Sequence, residues 1–97
     1  MRHEIILAPE AGEDLKRLSA RAPAEVLDAL GIHLRHEPAK TSRSRIKRLR
    51  GLSRPQYRLR VREMRVFYDV EAERVEILAI VMKSNAAAWL AGEGRKS

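Results

Sequence analysis

Cysteine is absent from the 97-residue chain, so neither a disulfide framework nor a thiolate metal site contributes to it. Aromatic side chains are few, with one Trp, two Tyr and one Phe, and their positions read as packing: Trp89 as an anchor, Tyr57 and Tyr68 as core residues. No apolar run approaches the roughly 18 residues of a membrane span. The opening Met1-Arg2-His3-Glu4-Ile5-Ile6-Leu7 is too short in apolar residues for a secretory signal, and no small-residue cleavage site follows it. The expectation is a soluble cytoplasmic protein with no membrane partner. His33 and His36 stand three apart on a helix without a third ligand nearby, so no metal or other cofactor is expected.

Acidic residues are missing from one long stretch. Between Lys40 and Arg65 eleven residues are basic and only Glu63 is acidic, a local charge of +10 in a chain whose net charge is +7. The rest of the chain is therefore slightly acidic. Charge segregated in this way sets up a local positive field suited to a polyanion, either nucleic acid or an acidic protein segment.

One domain is expected over residues 1–97. Glu4-Ile5-Ile6-Leu7 reads as a strand, and Pro9 suits the first turn of a helix that ends near Ser19 to Ala22, with Glu10, Glu13 and Asp14 in its first turn. Pro23 opens a second helix with Ala24, Val26, Leu27, Leu30 and Leu34 toward the core, closed by His36-Glu37-Pro38. Residues 39–45 read as a loop, Ile46 to Arg50 as a short strand and Gly51 to Pro55 as a turn. Tyr57–Arg62 and Met64–Val70 read as paired strands joined near Glu63. Val75 to Met82 is almost continuously apolar and should lie inside the sheet. Ser84 or Asn85 is placed to cap a last helix through Trp89, with Gly92 stopping it and a frayed basic tail behind. The order is that of an α+β fold: N-terminal strand, helical hairpin, a sheet of about four strands and a short C-terminal helix.

The strand at Tyr57 carries the strongest functional signal. Period-two alternation sends Tyr57, Leu59 and Val61 to one face and Arg58, Arg60 and Arg62 to the other. Arg65 follows on the next strand, with Phe67 of the same parity able to line a basic cleft. Guanidinium forks hold phosphate oxygens bidentately. Arg58, Arg60, Arg65 and Lys83, with Lys47, Arg48, Arg50 and Arg62, are therefore candidates to hold an anionic partner such as an RNA phosphate backbone. The plain alternative is a solvated strand face whose arginines pair with acids such as Glu76.

The ordered set Ile46-Lys47-Arg48-Leu49-Arg50-Gly51, Tyr57-Arg58-Leu59-Arg60-Val61, Arg65-Val66-Phe67-Tyr68-Asp69-Val70 and Ile77-Leu78-Ala79-Ile80-Val81, followed by Lys83 and Trp89-Leu90, resembles the RelE/ParE superfamily of bacterial type II toxins. The resemblance covers nearly the whole chain. It implies a twisted, mainly antiparallel sheet with two helices on one side, and a cognate antitoxin whose flexible segment covers the active face. RelE-like members cut mRNA on the ribosome; ParE-like members poison DNA gyrase. For a RelE-like member the resemblance implies a metal-independent endoribonuclease (an mRNA interferase) in which the 2′-OH attacks the phosphate and leaves a cyclic product. Arg58 and Arg60 then occupy paired basic positions and Arg65 that of a phosphate clamp. The sequence departs from that pattern in three places. The paired positions are lysines in the best-known nuclease, Ser84 stands where a basic residue is found, and Trp89-Leu90 falls where a catalytic tyrosine is found. Arginine does not readily exchange a proton, so proton carriers are sought among Lys83, Lys47, His3 and the substrate. A ParE-like inhibitor, or a member that acts by binding alone, is the alternative.

Overall fold

The computed structural model describes residues 2–96. Strand β1 (Glu4–Leu7) leads into helix α1 (Pro9–Arg17) and helix α2 (Ala22–Leu34). Four more strands build the main sheet: β2 (Ile46–Arg48), β4 (Tyr57–Val61), β5 (Met64–Val70) and β6 (Arg74–Met82). A short β3 (Leu52–Arg54) lies between β2 and β4, and helix α3 (Lys83–Glu93) and β7 (Arg95–Lys96) close the chain. The sheet order is β1-β6-β5-β4-β2; β1 runs parallel to β6 and every other pair is antiparallel. This is the expected α+β architecture, with β6 inside the sheet.

Alternation decides which side chains meet the helices. Ile46, Leu59, Val61, Met64, Val66, Tyr68, Val75, Ile77 and Ile80 form one core with Ala11 of α1 and Val26, Leu30 and Leu34 of α2. Transfer of such side chains out of water supplies about 1.5–3 kcal/mol each. Tyr68 is fully buried there, stacks on Tyr57 at 5.5 Å, and donates its hydroxyl to the Pro38 carbonyl at 2.7 Å. Leu27 and Ile32, also on α2, stay exposed, so Leu27 does not join the core.

One irregularity sets what lies on the other side. Phe67 pairs with Ala79, but Tyr68 pairs with Ile77, so Leu78 is an extra residue in β6. The bulge lets Ile77 and Ile80, three apart, both face the helices. Phe67, Leu78 and Ala79 are buried on the opposite side, where α3 lies: the Phe67 and Trp89 rings stack at 4.8 Å, 7° from parallel. Trp89 is the packing anchor expected of it. Phe67 does not line an open cleft, because α3 covers it.

Several local expectations change. The strand at Ile46 stops at Arg48, and the expected turn at 51–55 contains β3, which pairs with the expected frayed tail, β7. Gly51 sits at φ 76°, a conformation glycine reaches without steric cost, where the chain turns from β2 into β3. Helix α3 starts at Lys83, with Met82 rather than Ser84 or Asn85 at the N-cap position and no side-chain cap, and runs past Gly92 to Glu93, with Gly94 as its C-cap. A Cβ on Gly94 would fall 2.6 Å from the Leu90 carbonyl oxygen, and this close approach is what lets the chain turn into β7. Asp14 is not in the first turn of α1. Its carboxylate accepts the Ile80 backbone N–H at 2.9 Å, on the β6 edge beyond the end of β1. Among the described residues no helix is long and apolar enough to cross a membrane.

Candidate nucleic-acid interface

The face opposite the helical hairpin has two parts, divided by Phe67 and Trp89. In the first, Arg54 meets acids: its guanidinium lies 3.1 Å from Asp69 and 3.3 Å from Glu76. Asp69 also accepts the Gln56 backbone N–H at 2.7 Å, and Gln56 in turn receives the Val70 N–H. Burial pushes the Asp69 carboxyl above its ordinary value, against the Gln56 hydrogen bond and the Arg54 charge, which hold it down. Glu76, a possible partner for Arg58 and Arg60 from sequence, is taken by Arg54.

The second part holds the predicted arginines. Arg60 and Arg65 are register partners on β4 and β5, and Arg58 lies two residues along β4, beside Phe67. Lys47 on β2 is the register partner of Arg58. Among the described residues none of these four side chains has an acidic partner within ion-pair distance. Their hydrogen bonds go to backbone carbonyls instead. Arg58 donates to Ser44 at 3.0 Å, and Arg65 to Arg62 and Met64 at 3.0 and 2.9 Å. The Nε of Arg58 is buried without a partner. Burial first, then the nearby Arg65 and Arg60 charges, lower the Arg58 pKa from its ordinary value. Like charges on directly opposed strand positions destabilise a sheet, and no acid of the described chain pairs with Arg60 or Arg65.

The remaining candidates lie elsewhere. Arg62, placed on the arginine face by alternation, instead takes a positive φ of 53° in the β4–β5 turn and forms an ion pair with Glu25 of α2. Arg48 points to the other side of β2: it donates to the Gln56 carbonyl at 2.7 Å and lies over the Tyr57 ring at 5.2 Å. Arg50 is exposed in the turn after β2. Lys83 opens α3 and sits 3.7 Å from Glu63 in the β4–β5 turn. His3 lies at the Arg35 carbonyl, at 3.4 Å. His33 and His36 line a cleft beside α2, and no group of three or more potential metal ligands occurs among the described residues. Arg58, Arg60, Arg65 and Lys47 thus form one basic cradle with no acidic partner among the described residues. It contains no imidazole or carboxyl group to move a proton.

One contributor was missed from sequence. The segment before β2 is the expected loop, and it is held by hydrogen bonds that the sequence reading did not include: Ser42 Oγ accepts the backbone N–H groups of Arg45 and Ile46, each at 3.0 Å, and the Arg60 N–H donates to the Arg45 carbonyl at 2.8 Å. Serine three and four residues before the bonded amides was the available signal.

Comparison with known proteins bears on this arrangement. The solved structures with similar folds include the RelBE2 toxin–antitoxin complex of Mycobacterium tuberculosis, at 22% identity over 84% of this chain and 99% of that one, TM-score 0.61. They also include the RelE–RelB complex of the archaeon Pyrococcus horikoshii OT3, at 19% identity over 86% and 97%, TM-score 0.61, and the YoeB dimer of Staphylococcus aureus, at 20% over 84% and 97%, TM-score 0.58. At these identities the likeness is one of fold. Among curated proteins no sequence matches significantly. The family model for the ParE toxin of the parDE type II toxin–antitoxin system matches residues 5–86, a span that runs from β1 through β6 and holds the whole arginine cradle. The chain is a type II toxin of the RelE/ParE superfamily and belongs to the ParE toxin family.

Proposed function

We propose that this toxin acts on messenger RNA at the ribosome as an endoribonuclease, with Arg58, Arg60 and Arg65 gripping the scissile phosphate. The observation that carries the reading is the cross-strand pair of Arg60 and Arg65 beside Arg58, three guanidiniums on one face with no acid of the described chain to neutralise them. In such a reaction the 2′-OH attacks phosphorus, the 5′-oxygen leaves, and a cyclic phosphate forms. Negative charge gathers on the phosphoryl oxygens at the crowded stage, where preorganised cations stabilise it most. The arginines supply that stabilisation and orient the phosphate. The 2′-OH proton and the leaving-group proton pass through Lys47 or through groups of the bound RNA and ribosome, since Lys83 is paired with Glu63. A cognate antitoxin covers the same basic face with an acidic segment, which makes its binding salt-sensitive.

A second reading has its own support. The matching family model is that of the parDE toxin, and Lys83 is paired with Glu63. Both favour a ParE-like protein that inhibits DNA gyrase by contact and cuts no RNA. Translation with purified toxin, followed by mapping of mRNA 5′ ends, separates the two. Discrete cuts within codons, lost in a folded Arg60→Ala variant, support the nuclease. Intact mRNA together with accumulated gyrase–DNA cleavage complexes overturns it.

A further inference from the structure

The cradle extends one strand further than its three arginines. Ile46 pairs with Leu59, and the Arg60 N–H bonds to the Arg45 carbonyl, so the antiparallel register continues to Arg45 opposite Arg60. Arg45, just before β2, therefore lies opposite Arg60, itself opposite Arg65 on β5, and Arg45 also lines the cleft beside α2 with His33 and His36. At the usual strand separation these three positions span about 10 Å of backbone, wider than one phosphate group. Behind them runs a second row, Lys47, Arg58 and Phe67. The segment carrying Arg45 is tied in place by Ser42 Oγ, by the Arg60 N–H and by Arg58, which donates to the Ser44 carbonyl. Ser44, Arg45 and Arg60 line a separate surface hollow of about 210 Å³. Arg45 has no acidic partner among the described residues, and the His33 imidazole next to it is held toward its neutral form by burial and by the Arg45 charge.

We infer that Arg45, with Arg60 and the Ser44 rim, forms a second phosphate subsite, so that the basic face takes two consecutive phosphodiesters of a single-stranded RNA rather than one. Arg60 is shared: one side of it faces Arg65 and Arg58, the other faces Arg45. The subsite rests on the RNA-directed reading above and adds ligand length to it. RNA bound across the sheet then runs toward the β2 edge, and the ordered 42–46 segment selects for chains long enough to reach it.

The test compares two ligands on the full-length toxin: the dinucleoside monophosphate ApA, with one phosphate, and a labelled hexanucleotide of single-stranded RNA. Arg45→Gln should weaken the hexanucleotide about tenfold, the loss of one charge-assisted contact. It should also flatten the dependence of log affinity on log salt by about 0.7, one phosphate's share for a single strand, and leave ApA binding unchanged. Arg45→Lys should recover part of the loss, and circular dichroism should show each variant folded. Arg60→Ala should weaken both ligands. Equal hexanucleotide binding by wild type and Arg45→Gln overturns the subsite while leaving the RNA reading intact. So does an equal loss for both ligands, which would place Arg45 on the first phosphate. A wild-type protein that binds neither ligand, at any salt, overturns the RNA reading and the subsite with it. The His33 imidazole supplies an independent readout: its NMR titration midpoint should rise when the hexanucleotide is bound and stay fixed with ApA.

Discussion

The same sheet face holds arginine in two conditions. Arg54 lies between Asp69 and Glu76, its charge matched within 3.3 Å. Beyond the Phe67–Trp89 stack, Arg58, Arg60 and Arg65 share a surface with no acid of the described chain to meet them. A paired arginine is complete within the fold, and removing either partner leaves a half-buried charge exposed to its own desolvation cost. Unpaired arginines set against one another are complete only when an outside anion arrives. The contrast separates arginines neutralised within the fold from arginines left without an acid, and under the proposed function the second group is the one that meets RNA.

The contrast can be broken at its boundary first. Phe67→Ala removes a fully buried ring from beneath Trp89 and should cost about 3–5 kcal/mol in chemical denaturation; a loss under 1 kcal/mol would mean that α3 is not held by this stack. On the paired side, Asp69→Ala strips the Gln56 N–H and Arg54 of their acceptor and should cost about 1–3 kcal/mol. On the unpaired side, Arg60→Gln should leave stability within about 0.5 kcal/mol of wild type or raise it, since it relieves like-charge contact with Arg65. If Arg60→Gln destabilises as much as Asp69→Ala, the distinction between the two regions fails.

A smaller effect sharpens the paired side. Burial raises the Asp69 carboxyl in the folded state above the ordinary 3.8, so between those two values the folded protein binds more protons at this site than the unfolded chain does. Its contribution to stability is then greatest at low pH and falls as pH rises through that window. Wild type should therefore lose stability relative to Asp69→Asn as pH climbs from below 3.8 to neutrality. A difference that is constant with pH would contradict the burial argument.

Much of this was legible in the sequence because it was periodic. Alternation through Tyr57-Arg58-Leu59-Arg60-Val61 set the sheet face, and the run Val75 to Met82 identified an inner strand. What escaped was short or distant. Two- and three-residue strands such as β3 and β7 have no period to detect. Asp14 meets Ile80 across 66 positions, where no local pattern could join them. Arg62 fell on the wrong side because alternation was carried one residue past the strand into the turn. Arg54 and Arg60 look alike in a basic stretch; only the fold shows that one of them has acids beside it.

The most direct test measures single-stranded RNA affinity by fluorescence anisotropy for wild type, Arg60→Ala and Arg74→Ala, the last an exposed arginine paired with Glu71 at 2.9 Å. Loss of the unpaired arginine should weaken binding about tenfold or more and flatten its salt dependence, while loss of the paired one should leave both within twofold of wild type. Equal affinities for all three proteins, or equal losses in both variants, would contradict the claim that the acid-free arginines form the RNA-binding face.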